Sequence, residues 1–95
     1  MNRAIIQRTT FTNHPNNEKT FGYCIYDDYG QSYNNVMDEQ DMTLSPPSFL
    51  AKAKETFDDV ADSIFDGAVE HGGIYIDDDW YELTKTGKLK NLKCE

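Results

Sequence analysis

The chain has 95 residues, 17 acidic against 9 basic, a net charge of −8 and a pI near 4.5. That length holds one domain with a modest core, and the charge argues against direct contact with nucleic acid, itself a polyanion. No apolar run approaches the roughly 18 residues of a membrane span, and the opening MNRAIIQRTTF has no apolar stretch of the kind a secretory signal needs, so a cytoplasmic protein is expected.

Ala4 to Thr12 is rich in β-branched residues and reads as a strand. Asn13 to Glu18 is a cluster of turn formers around Pro15. Lys19 to Tyr26 alternates, with Phe21, Tyr23 and Ile25 on one face, and predicts a second strand. Asp27 to Gly30 is a tight turn, and Gln31 to Val36 a weaker strand at an edge. The short links favour antiparallel hairpins. Met37 to Leu44 is an acidic connector.

The stretch from Ser45 to Gly73 reads as one long helix. Leu50, Ala53, Phe57, Val60, Ala61, Ile64, Phe65 and Ala68 recur at spacings of three and four and mark its buried face. Leu50, Phe57, Val60 and Ile64 are expected to be buried together. Gly72 and Gly73 supply the stop. Gly73 to Leu83 then has the pattern of a hairpin whose turn is Asp77, Asp78 and Asp79. The tail from about residue 84 is basic, with Lys85, Lys88, Lys90 and Lys93 against Glu95. The order of elements is β-β-β-α-β-β. The expected fold is α+β, an antiparallel sheet with one long helix packed on one face, in a single domain of residues 1–95. Phe21, Tyr23 and Trp80 are expected in the core, and Tyr26, Tyr29, Tyr33 and Tyr81 partly exposed.

The residue types exclude several chemistries by their spacing. His14, Cys24, His71 and Cys94 are scattered and form no metal-ligand pattern. Contiguous aspartates at 77–79 lack the alternation of a calcium loop. Ser63 has no base that the sequence places beside it. No glycine-rich phosphate loop is present. The expectation is therefore no catalytic residue, no cofactor and no metal. Cys24 and Cys94 are expected as free thiols in a reducing compartment.

What remains is a surface. Between Asp38 and Asp79 lie twelve acids and only Lys52 and Lys54, a local charge of −10. On one long helix Glu55, Asp58, Asp59, Asp62 and Asp66 would form a stripe about 16 Å long. Their like-charged neighbours at three and four residues would cost stability, and acids toward the C-terminal end with lysines toward the N-terminal end oppose the helix dipole. Such a helix points to a use other than stability, namely presenting carboxylates to a cationic surface. A DNA strand carries about five phosphates over that length. The candidate partner-binding residues are Glu55, Asp58, Asp59, Asp62 and Asp66, with Asp77, Asp78 and Asp79 where the hairpin turn extends the patch. Asp58, Asp59, Asp62 and Asp66 are expected to be exposed and dispensable for folding, and Asp77 to Asp79 to form a solvated turn.

In size, charge and an acidic helix beside a small sheet, the chain resembles the small acidic proteins that phages and mobile elements make against host nucleases. These are the anti-restriction and anti-CRISPR inhibitors, some of which resemble DNA. The resemblance implies a non-enzymatic inhibitor that occupies the nucleic-acid site of a Cas or restriction nuclease by charge mimicry. Its partner would be the basic surface of a nucleic-acid-binding protein, with no direct nucleic acid and no membrane. Bacterial immunity proteins, which neutralise toxic nucleases, resemble the chain in the same way. A small enzyme or metal-binding domain is the alternative from another class.

Overall fold

The computed structural model describes residues 3–90. The chain folds as an α+β unit with a five-stranded sheet and two helices. Strands β1 (Ala4–Asn13), β2 (Glu18–Asp27) and β3 (Ser32–Met37) form the expected antiparallel meander. A 3₁₀ turn (Glu39–Thr43) leads into helices α1 (Pro46–Lys54) and α2 (Asp59–His71). The hairpin of β4 (Gly73–Ile76) and β5 (Asp79–Glu82) follows. Strand order is β3-β2-β1-β4-β5, which leaves β3 at an edge as its weak pattern predicts.

The sheet is mixed rather than purely antiparallel. β1 and β4 run parallel, pairing Ile5 with Tyr75 and Ile6 with Ile76. Short links dictate antiparallel pairing only for the strands they join. β4 is reached through both helices, a connection long enough for a parallel crossover. That crossover makes β1 the central strand.

The expected single helix is two. The last turn of α1 tightens, with Glu55, Thr56 and Phe57 donating to carbonyls three residues back. Asp58 is then extended, at φ −99° and ψ −170°, and its side chain accepts from the amides of Val60 and Ala61. It is the N-cap of a new helix. The sheet holds the break in place. Tyr23 Oη donates to the Ala53 carbonyl at 3.3 Å and Tyr33 Oη to the Thr56 carbonyl at 3.0 Å. α2 ends on Gly72, whose φ of 88° is the left-handed cap conformation that favours glycine.

Both helices cover one face of the sheet. Ile6, Ile25, Ile74 and Ile76 face Phe49, Leu50, Ala53, Ala61, Ile64, Phe65 and Ala68 across the core. Tyr23 is buried there as expected, its ring 6.0 Å from Phe49 and 6.2 Å from Phe57. Phe21 is only half-buried. The break rotates α2 relative to α1, so Val60 turns outward and is 38 % exposed, while Phe57 packs at the edge of the core. Trp80 was expected inside but is 50 % exposed on the opposite face of the sheet.

One polar group sits at the core register of β1. Arg8 follows Ala4 and Ile6 at the two-residue period, and its side chain is 11 % exposed. Its Nε and Nη2 pair with Asp77 Oδ2, and its own amide donates to Asp77 Oδ1 at 2.9 Å. Nη1 donates to the carbonyls of Asp41 at 3.1 Å and Leu44 at 2.7 Å. The guanidinium lies 4.4 Å from the centre of the Phe49 ring. Asp77 in turn is part of a two-residue turn in which Asp77 and Asp78 both have positive φ, 50° and 76°. Hairpin turns of this primed kind favour aspartate and asparagine. Arg8→Met leaves Asp77 Oδ2 and the Leu44 carbonyl without their donor, while Asp77 Oδ1 keeps the residue 8 amide and the Asp41 carbonyl keeps the Leu44 amide. The substitution is expected to cost about 3–5 kcal/mol, read from urea unfolding. Asp77→Asn, which keeps the turn preference, should cost less.

Candidate functional site

The two-helix structure sorts the candidate acids into different roles. Glu55 is the exposed residue that ends α1. Asp58 is occupied as the cap of α2, so it is not dispensable. Asp59 and Asp62 lie in the first turn of α2, where the helix dipole favours negative charge. Lys52 and Lys54 fall in the last turn of α1, where it favours positive charge. The charge order that opposes one long helix suits two short ones at Lys52, Lys54, Asp58, Asp59 and Asp62, so those three acids do not work against stability, whereas Glu55 stays at the C-terminal end of α1, where the dipole disfavours an acid.

Within α2, Asp66 and Glu70 are the exception. Both are exposed and lie toward the C-terminal half of α2, the wrong end for an acid. With Asp59 and Asp62 they form a solvent-facing stripe at spacings of three and four residues, about 16 Å long. Among the described residues none of the four has an ion-pair partner. The stripe therefore begins at Asp59 and reaches Glu70, a residue the sequence reading left out of the patch. It carries four carboxylates where a DNA strand carries about five phosphates.

Two of the hairpin acids are engaged elsewhere. Asp77 is neutralised by Arg8. Asp78 accepts from Gln7 Nε2 at 2.8 Å, and Gln7 sits on the strand face turned away from the helices. Asp79 is the exposed first residue of β5 rather than part of the turn.

The face of the sheet opposite the helices was not anticipated. The pairings Ile5–Tyr26, Ile5–Tyr75 and Tyr75–Trp80 set four apolar or aromatic residues in a row across β2, β1, β4 and β5. The Tyr75 and Trp80 rings meet edge to face at 5.1 Å, and the Arg3 guanidinium stands 5.7 Å from the Tyr75 ring centre. A Cβ at Gly73 would overlap the Trp80 ring, so glycine there lets the indole lie against the strand. By the strand register Glu18 and Glu82, both at strand ends, put charges on this face, and Arg3 and Asp78 stand beside Ile5 and Tyr75 on it. The signal in the sequence was alternation on both faces of each strand, of which only the core face was read. Tyr26, Tyr33 and Tyr81 are half-buried and Tyr29 is 74 % exposed, as expected.

Cys24 also faces this side, half-buried and free, and burial pushes its thiol above the ordinary value. Cys94 and Lys93 lie outside the described residues. Tyr33 is raised as well, by burial first and then by Tyr23 and Asp58. Among the described residues no group of three or more His, Cys, Asp or Glu is placed to hold a metal ion, and no helix is long and apolar enough to cross a membrane. No protein-family model, curated protein or solved structure matches the chain.

Two outcomes test this sorting. In urea unfolding, Asp58→Ala is expected to cost about 1 kcal/mol as a lost cap, and Asp59→Lys a few tenths to about 1 kcal/mol. Asp66→Lys and Glu70→Lys should instead stabilise by a few tenths of a kcal/mol, by relieving like-charge pairs and matching the dipole. For Cys24, in protein carrying Cys94→Ser, alkylation at pH 7.5 should run slower than for free cysteine, because the thiolate is the nucleophile. The folded state holds this proton more tightly than the unfolded state. Its contribution is thus fully present below the unfolded thiol value of about 8.5 and is lost as pH rises through the folded one.

Proposed function

We propose that the protein is a non-enzymatic acidic inhibitor. It binds the basic surface of a nucleic-acid-handling protein, of the Cas or restriction-nuclease kind, and blocks the nucleic-acid site by charge mimicry through α2. The observation that carries this reading is the pair Asp66 and Glu70. They extend an exposed carboxylate stripe into the half of the helix where neither capping, dipole nor, among the described residues, an ion-pair partner accounts for an acid. The net charge of −8 supplies the long-range attraction. An immunity-type inhibitor of a toxic nuclease would work on the same electrostatics, and gene neighbourhood separates the two.

Capture from host lysate with mass spectrometry identifies the partner, and titration calorimetry then measures it. The combined variant Asp62→Lys, Asp66→Lys, Glu70→Lys leaves the Asp58 cap in place. It is expected to bind on the order of 100-fold more weakly, with an unchanged circular dichroism spectrum. Wild-type affinity should fall as salt rises, and nucleic acid should compete. Full-strength binding by the folded triple variant would sink the mimicry reading.

A further inference from the structure

Asp41 is the one charged residue buried among the described residues, at 8 % exposure. It lies within the 3₁₀ turn, where its backbone is fully used. Its amide donates to the Asp38 carbonyl at 3.0 Å, and its carbonyl accepts from Leu44 and from Arg8. Its carboxylate has no hydrogen-bond or ion-pair partner among the described residues. Arg8 does not fill that role, because its charge is answered by Asp77. A carboxylate withdrawn from water without a partner is unfavourable. Asp41 also lines a pocket of about 240 Å³ between the end of β3, the 3₁₀ turn and α1. Tyr23, Met37 and Ala53 contribute apolar wall to it, Asp38 a second carboxylate and Lys52 a cation. Lys52 is exposed and pairs with neither acid.

We propose that this pocket is a binding site for a guanidinium or alkylammonium group, and that it takes an arginine or lysine side chain of the partner protein. The second half rests on the reading of the protein as an inhibitor of a basic partner. Two carboxylates exclude an anion. The apolar walls suit the methylene stem of a long basic side chain, whose charged head then meets Asp41. The volume falls below the ~300–1,000 Å³ typical of small-molecule sites and fits one side chain. Lys52 acts as an internal competitor for the same acids. The acidic stripe on α2 would supply steering, and this pocket a desolvated anchor of the kind that dominates protein interfaces.

The test titrates ¹⁵N-labelled protein with N-acetyl-argininamide and with n-butylammonium, using N-acetyl-leucinamide as the neutral control. Saturable shifts are expected for both cations at the amides of Met37, Asp38, Asp41 and Ala53, with none for the control. Asp41→Asn should weaken both by on the order of tenfold, and Lys52→Gln should tighten both several-fold. Asp38→Asn, an exposed change, should weaken both as well and serves if Asp41→Asn fails to fold. The triple α2 variant should bind the probes like wild type, which separates failure of this site from failure of the stripe. Shifts that do not saturate, that scatter along α2 or that persist unchanged in Asp41→Asn (or in Asp38→Asn, where Asp41→Asn does not fold) overturn the site. Probe binding with partner capture undiminished in the folded site variant overturns the assignment to a partner side chain.

Discussion

The fold depends on one arginine at a core position. Arg8 stands where the alternation of β1 would place another aliphatic residue, and it joins the β4–β5 turn, the 3₁₀ turn and the approach to α1 to the central strand. Those three pieces share no hydrophobic run long enough to define their mutual arrangement. A planar cation with five donors does it, by matching the Asp77 carboxylate and two carbonyls at once while its face stacks on Phe49. The desolvation cost is met because the partners are complete and geometrically fixed, the condition under which a partly buried ion pair specifies structure. It also explains why Asp77, counted as one of three exposed acids, is structural.

The second constraint is the break between α1 and α2. It is fixed from outside the helix, by tyrosine hydroxyls of β2 and β3 that hold Ala53 and Thr56. The break changes the electrostatic meaning of the same residues. Lysines that oppose the dipole of one long helix complement the end of α1, and acids at 58, 59 and 62 complement the start of α2. Much of the apparent strain in the acidic stretch is thereby removed. Glu55 at the end of α1 and Asp66 and Glu70 in α2 keep the unexplained sign, and the last two continue the stripe that begins at Asp59.

The sheet divides the surface by chemistry. One side holds both helices, the acidic stripe and the Asp41 pocket. The other carries the Tyr26–Ile5–Tyr75–Trp80 row, with Arg3 and Asp78 beside it and Glu18 and Glu82 at the strand ends.

The sequence by itself determined the local elements. Alternation, turn residues and periodic apolar spacing are properties of neighbours in the chain, so β1, β2, the edge strand β3, the helical stretch, the glycine stop and the aspartate turn were all legible within a residue or two. Tertiary structure alone decided the rest. The parallel pairing of β1 with β4 follows from the length of the path between them and the place where α2 sets its end down. The break at Asp58 needs hydroxyls from strands more than twenty residues away, and a capping aspartate followed by an Asp-Val-Ala-Asp-Ser run reads equally well as helix interior. The register of Val60 and the exposure of Trp80 follow from that break and from the uncovered sheet face. The sorting of acids into cap, ion pair, stripe and buried carboxylate depends on which cation or amide each one meets across the fold. Charge is counted along the chain but is compensated in space.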